Sequence, residues 1–198
     1  VYIGNIIYEM TQKELLEQQN SKAEINIRET DLFVPFDYKT DNYETVSRVL
    51  IYDTNRNNLI LKDINENISR FKSILILTER KSHVDILNLY LKEKYETIAI
   101  SGDDSERSRK SKLEQIEQGH FRIIISTGQY FGEGIDISTL ECLFIVYPFT
   151  FEGKLVQYIG RVQRSGKPPV IFDYRDSKID YFDKMFKQRN RYYNKLRK

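Results

Sequence analysis

Five short apolar runs rich in β-branched residues set the strongest constraint on what this chain can fold into: ILILT at Ile74–Thr78, TIAIS at Thr97–Ser101, RIIIS at Arg122–Ser126, CLFIV at Cys142–Val146 and VIFDY at Val170–Tyr174. Each has the length of a strand, and together they lack the regular alternation of a sheet with one wet face. Between them lie Arg80–Lys94, Glu106–Gln118 and Glu152–Gln163, where apolar residues recur at three- and four-residue spacing, as in Val84, Leu87, Leu91 and in Leu113, Ile116. Continuous apolar strands joined by helices predict an α/β fold with a parallel sheet covered on both faces.

The residues before Ser73 read differently. Val1–Tyr8 is strand-like, Thr11–Gln19 has helical spacing, a polar loop follows through Asp41, and Tyr43–Phe71 is a helical stretch containing DTNRNN at Asp53–Asn58. These elements do not complete a second domain. The chain starts at Val1 rather than methionine, and VYIGNIIYEM lacks the basic start and small-residue cleavage site of a signal peptide, so the expectation is a piece of a longer chain.

With 198 residues, 40% of them hydrophobic and 30% charged, the composition is that of one globular domain with an appendage, which sets aside disordered, collagen-like and membrane classes. No apolar run approaches the roughly 18 residues of a bilayer-spanning helix. The sole cysteine, Cys142, lies inside an apolar run and supplies neither an intrachain disulfide nor a thiolate cluster, which predicts an intracellular, cytoplasmic protein. His83 and His120, the only histidines, are far apart and read as surface or boundary residues, so no metal site is expected. The formal net charge is +2, yet Lys184–Lys198 holds seven Lys or Arg and no acid. That basic end is a phosphate-facing patch or, in the plainer reading, the solvated face of a last helix with Met185, Phe186, Tyr193 and Leu196 turned inward.

In open parallel sheets, ligands bind outside the carboxyl ends of the strands. After RIIIS the chain continues Thr127-Gly128-Gln129-Tyr130-Phe131-Gly132-Glu133-Gly134-Ile135-Asp136. Glycines spaced before an aspartate let backbone N–H groups approach an oxyanion, which points to a phosphate- or ribose-facing loop rather than a plain connection. The helix after CLFIV contains Gln157-Tyr158-Ile159-Gly160-Arg161-Val162-Gln163-Arg164, with Gln157, Arg161 and Arg164 on one face. Co-facing arginines can neutralise charge on a transferring phosphoryl group, and an ordinary solvated arginine face is the alternative. Gly160 in mid-helix costs about 1 kcal/mol against alanine, which predicts that something passes close to it.

Two absences matter as much. No GxxxxGK followed by Ser or Thr occurs; the stretch Gly160–Lys167 has the wrong spacing and runs into Pro168. No strand ends in paired acids able to hold Mg²⁺, because Asp173 and Asp176 lie apart and read as turn residues. The chain has arginines for phosphoryl chemistry without the means to bind the phosphates first, as in half of an active site.

Taken together, LTER at Leu77–Arg80, SG at Ser101–Gly102, STGQYFGEGID at Ser126–Asp136 and QYIGRVQR at Gln157–Arg164 resemble, in order and spacing, motifs of the second RecA-like domain of superfamily 2 DEAD/DEAH-type helicases. The branch most similar is the bacterial and phage one related to restriction and repair translocases, where a lead-in like RNNLI at Arg56–Ile60 precedes the domain. The resemblance implies a RecA-like, P-loop-NTPase-type sheet sandwiched by helices, with residues 1–70 a lead-in linking to a first RecA-like domain, 71–176 the helicase C-terminal domain and 177–198 a basic helix. It also implies that ATP with Mg²⁺ is bound jointly with that first domain. Arg161 and Arg164 would be arginine fingers, Gln157 would couple nucleotide to closure, and Gly134 and Asp136 would border the ribose and γ-phosphate. Thr78, Arg80, Ser101, Gly102 and Thr127 match positions that contact the nucleic-acid backbone. Gln163 is a departure, since relatives often carry another polar residue or histidine between the two arginines.

The expectation is therefore the C-terminal motor domain of an ATP-dependent DNA helicase or translocase, catalytically incomplete alone, with DNA as partner, RNA left open, and no membrane. A non-catalytic RecA-like module that binds nucleic acid or serves as a scaffold is the rival.

Overall fold

The computed structural model describes residues 23–36, 42–128, 137, 139–150, 152–163, 165 and 167–197. The strand-like Val1–Tyr8 and the helical Thr11–Gln19 lie outside them. The described elements run β1 (Glu24–Glu29), α1 (Tyr43–Tyr52), α2 (Thr54–Asn67), a 3₁₀ turn (Ile68–Arg70), β2 (Ser73–Thr78), α3 (Lys81–Leu91), β3 (Thr97–Ile100), α4 (Glu106–Glu117), β4 (Ile123–Thr127), β5 (Leu140–Ile145), α5 (Glu152–Gln163), β6 (Val170–Arg175) and α6 (Asp180–Leu196). The strands form one six-stranded sheet in the order β1-β6-β5-β2-β4-β3, parallel throughout.

Side-chain alternation explains why the central strands β2 and β5 show no polar face. Ile74 and Ile76 of β2 join a cluster with Ile60 and Ile64 of α2 and Val84, Leu87 and Leu91 of α3. Leu75 and Leu77 point the other way, into a cluster with Ile116 of α4, Leu155 and Val162 of α5, and Tyr193 and Leu196 of α6. Every residue of β2 and β5 is buried. A third cluster, with Leu32, Val46, Leu50, Tyr147 and Phe182 among its members, seats α1 on the other elements. No helix among the described residues is long and apolar enough to cross a membrane.

Three expectations are corrected. The polar loop through Asp41 contains β1, which pairs with β6 from Glu24↔Val170 to Glu29↔Arg175. EINIRE forms an edge strand with exposed ends and half-buried middle residues, so it needs only Ile25 and Ile27 and never acquires an apolar run. The stretch Tyr43–Phe71 is broken at Asp53, whose extended backbone ends α1 and whose carboxylate accepts the Arg56 N–H at 2.7 Å as the N-cap of α2. Asp173 and Asp176 are not solvent-facing turn acids. Asp173 lies within β6 and accepts a two-pronged contact from buried Arg189 at 2.8 Å, and Asp176, 1% exposed, accepts from buried Arg56 at 2.8 and 3.2 Å.

The basic end is α6 turned as a packed helix. Phe186, Tyr193 and Leu196 are buried and Met185 is partly buried. Arg189 belongs to the interior, where its Nη1 also donates to the Phe149 carbonyl at 2.7 Å.

Candidate functional site

The register of the sheet brings three strand ends onto one edge. Thr78 is opposite Thr127 across β2 and β4, and Ile100 is opposite Ser126 across β3 and β4. Glu79 and Arg80, Thr127 and Gly128, and Ser101 and Gly102 therefore leave the sheet side by side, which is where a parallel sheet presents ligand-binding groups. Beyond β3, the Ser101 N–H donates to Asp104 Oδ2 at 3.0 Å, and Lys112 pairs with the same carboxylate, so an acidic turn fixes the Ser101–Gly102 backbone. Thr127 Oγ1 is buried without a hydrogen-bond partner among the described residues.

Thr78 is 2% exposed, and its hydroxyl is committed inward. The Asn57 amide donates to the Ile51 carbonyl at 2.8 Å, so its Oδ1 is free to accept from His83 Nε2 at 3.2 Å. That bond leaves His83 Nδ1 as the acceptor for the Thr78 hydroxyl at 3.1 Å. Thr78 Oγ1 in turn accepts the Arg80 N–H at 3.3 Å, so the threonine positions the arginine's backbone. The surface or boundary reading of His83 is thus corrected: it is fully buried, and burial, then the charge of Arg56, lowers its pKa to about 3.

Because the unfolded chain protonates His83 near its ordinary value of 6.5 and the folded chain does not, the unfolded state binds the extra proton and stability falls as pH drops through that window. A loss of about 2 kcal/mol is expected between pH 7 and pH 5 in urea unfolding. His83→Gln should be less stable at pH 7 and lose most of that pH dependence; an unchanged pH dependence would show that His83 is not the group responsible.

Arg80 lies over the rings of Tyr43 and Tyr147, its Cζ 5.8 and 5.9 Å from their centroids. Its Nε donates to the Tyr147 hydroxyl at 3.3 Å, and one Nη donates to Glu44 at 2.5 Å. Burial opposes the Arg80 charge, but Tyr147 and Glu44 hold its pKa above the usual arginine value. The neighbouring Glu79 turns towards α5 and pairs with Lys154 at 3.2 Å. A Cβ at Gly128 would lie 2.6 Å from Glu79 Oε1 and closer still to the Tyr158 hydroxyl, so the glycine is what admits these groups to the end of β4. Tyr43, Glu79, Arg80, Tyr147, Phe149 and Lys154 line a pocket of about 400 Å³ on this edge.

α5 starts at the same edge. Its buried Leu155, Tyr158, Ile159 and Val162 face the sheet, which leaves Gln157 exposed and Arg161 half-buried one turn further on. Burial, then the charge of Glu79, raises the pKa of Tyr158, and Arg161 opposes that shift. Gly160 does not mark a close approach, since a Cβ built there meets nothing within 4 Å among the described residues. Gly134, Asp136 and Arg164 lie outside the described residues. Among those that are described, no group of three or more His, Cys, Asp or Glu could hold a metal ion.

Glu44, Tyr43, Tyr147 and Lys154 were not singled out in the sequence. Tyr147 directly follows a strand-sized run and is reachable by the strand-end rule, whereas Lys154 reads as an ordinary surface lysine until Glu79 is seen beside it.

A parallel sheet sandwiched by helices, with polar, basic and glycine positions gathered at its carboxyl edge, defines a RecA-like α/β domain. The chain belongs to the helicase conserved C-terminal domain family, which it matches over residues 56–166. It is 27% identical over 191 residues to "Putative ATP-dependent RNA helicase L396" of Acanthamoeba polyphaga mimivirus, covering 92% of this chain and 34% of that protein. It is 32% identical over 127 residues to transcript termination protein A18 of camelpox virus, covering 59% of this chain and 24% of that protein. The chain thus spans about a third and about a quarter of the lengths of these relatives. Among solved structures, T4 UvsW matches with a TM-score of 0.65 at 17% identity over 88% of this chain and 40% of that one. The Escherichia coli DEAD-box protein SrmB, solved bound to regulator of ribonuclease activity A, matches with a TM-score of 0.63 at 14% identity over 87% and 86%. At these identities the structural likenesses speak to the fold.

Proposed function

We propose that this chain is the second motor domain of an ATP-dependent helicase or translocase, acting in the cytoplasm on DNA and working against a first RecA-like domain. The observation that carries the reading is the alignment of the β2, β4 and β3 ends on one edge, with the start of α5 beside it through Lys154, paired with Glu79, and Tyr158, close to Gly128. In this reading Arg80, Ser101, Gly102 and Thr127 follow the nucleic-acid backbone, and buried Thr78 acts through the Arg80 backbone it positions. Arg161 and Arg164 stabilise charge on the γ-phosphate, Gly134 and Asp136 border the nucleotide, and Gln157 links its presence to closure of the domains.

The donor set fits the phosphates of ATP rather than Mg²⁺. Cations face the edge, while carboxylates such as Asp104, Glu44 and Glu79 are engaged with cations. Mg²⁺ would be held by acids of the first domain, and this chain's part would be to orient the phosphates, neutralise them and exclude water. Movement of the edge contacts with domain closure would turn a nucleotide cycle into stepping along a strand.

The test is paired: ATP turnover and nucleic-acid binding by the purified chain. No nucleic-acid-stimulated turnover is expected from the chain alone. Single-stranded oligonucleotides should bind weakly and without sequence preference, with log K falling by about 0.7 per phosphate neutralised as log salt rises. Robust turnover by the chain alone would sink the half-site reading, and absence of any salt-dependent binding would sink the backbone-edge reading. Matched DNA and RNA strands decide the polynucleotide; RNA, which the mimivirus relative's name specifies, is the second reading.

A further inference from the structure

We infer that the pocket between α1 and α5 is a phosphate-docking subsite for the polynucleotide backbone, in which Lys154 is a second cationic contact beside Arg80 and the carboxylates of Glu44 and Glu79 act as placeholders that a phosphate displaces. This rests on the nucleic-acid reading above and adds residues to it.

Consecutive residues at the end of β2 face opposite walls of one pocket. Arg80 leans towards α1 and meets Glu44; Glu79 leans towards α5 and meets Lys154. Among the described residues each cation therefore pairs with one carboxylate, and both pairs reach solvent: Arg80 and Glu44 are 32% and 68% exposed, Lys154 and Glu79 37% and 26%. Pairs this exposed contribute little net free energy, because water screens the attraction and two long side chains must be held in one geometry. Their carboxylates are thus readily exchanged for an anion that meets both cations at once. A phosphodiester is such an anion, since its oxygens can take two parallel N–H bonds from a guanidinium as well as an ammonium contact.

In the Arg80–Glu44 pair the cation is better fixed than the anion. Arg80 lies over the rings of Tyr43 and Tyr147 and is bonded to the Tyr147 hydroxyl. Tyr147 is held by the Ser47 hydroxyl at 2.5 Å. Lys154 stands in the first turn of α5, a helix anchored by the buried Leu155 and Tyr158. Glu44, by contrast, projects from the first turn of α1 with most of its side chain in water. A volume of about 400 Å³ accommodates a phosphate and the adjoining sugar. The neighbouring ends of β4 and β3 extend the same edge, so a polynucleotide, which places phosphates in series, fits the layout better than a lone nucleotide does.

The experiment is a salt titration of fluorescent single-stranded oligonucleotide binding to the full 198-residue chain and its variants. Lys154→Ala should weaken binding and reduce the salt slope by about 0.7, one phosphate contact, as Arg80→Ala does. Glu79→Gln and Glu44→Gln should each tighten binding by roughly two- to five-fold, the size of a part-exposed ion pair. Lys62→Ala and Glu66→Gln, which change charge equally at a pair on α2 away from this edge, are the controls. Lys154→Ala behaving like Lys62→Ala, or the two placeholder variants behaving like Glu66→Gln, overturns the subsite while leaving Arg80 and the nucleic-acid reading in place. Loss of the Lys154 effect when excess ATP is present assigns the phosphate to a nucleotide and overturns the backbone source. If the unaltered chain binds no oligonucleotide at any salt, the functional reading fails and the subsite with it.

Discussion

Replacing Arg161 by alanine is expected to cut nucleic-acid-stimulated ATP turnover by about 10³-fold or more in the protein that joins this chain to a first RecA-like domain, while nucleotide affinity changes only a few-fold. An arginine finger acts on charge that develops as the phosphoryl group transfers, so its loss falls on the rate rather than on binding. The fold explains why such a group would be effective here. α5 buries Leu155, Tyr158, Ile159 and Val162 against the rest of the molecule, so the backbone under Arg161 is fixed before any nucleotide arrives. Arg161 itself is only half-buried, and truncation removes a guanidinium without opening the core. Lysine should rescue poorly, because an ammonium cannot reproduce the planar two-donor fork. Arg164→Ala is expected to behave alike. Steady-state turnover at saturating nucleic acid is the measurement, and near-normal turnover in the Arg161→Ala protein would reduce that residue to a surface arginine.

What the sequence displayed of this architecture depended on how local each signal is. Strands β2 to β6 announce themselves because both faces of the sheet are covered, so Ile74, Leu75, Ile76 and Leu77 must all be apolar. β1 was missed because an edge strand in contact with one neighbour needs little burial; Ile25 and Ile27 among Glu24, Asn26, Arg28 and Glu29 look like a loop. Strand order was not readable, since the placement of β1 beside β6 and of β2 between β5 and β4 follows from chain crossings that no sequence window contains. The polar pairs between distant residues were hidden for the same reason. Arg56 meets Asp176 across 120 residues, and Glu79 meets Lys154 across 75. His83 looked like a boundary residue because its partners Asn57 and Thr78 lie on two other elements, and only their convergence makes a neutral buried imidazole affordable. Arg80, Gln157 and Arg161 were visible because their motifs are contiguous, and the structure adds what motifs lack: Thr78 spends its hydroxyl on the interior, and Arg80 already has a carboxylate partner.

Asp176→Ala is expected to destabilise the chain by about 3–5 kcal/mol, the cost of leaving a buried charge without its partner. Both side chains of the Arg56–Asp176 pair are fully buried. Asp176 accepts from Arg56 Nε at 2.8 Å, from Arg56 Nη2 at 3.2 Å and from the Thr30 hydroxyl at 2.6 Å, while Arg56 Nη1 donates to the Val146 carbonyl at 2.8 Å. One ion pair thus ties α2 to the chain leaving β1, β5 and β6. An arginine cannot escape by losing its proton, so truncating the aspartate strands a guanidinium with one backbone acceptor and the ring of Tyr174. Removing both charges is a different case: Arg56→Met with Asp176→Leu should recover much of the loss, because the desolvation cost of two buried ions disappears along with their attraction. Urea unfolding of the single and double variants measures both expectations, with Lys62→Ala, which breaks an exposed pair to Glu66, changing stability by no more than about 0.5 kcal/mol. A loss below about 1 kcal/mol for Asp176→Ala would mean that water reaches Arg56, and that α2 is held to the carboxyl edge by its apolar face alone.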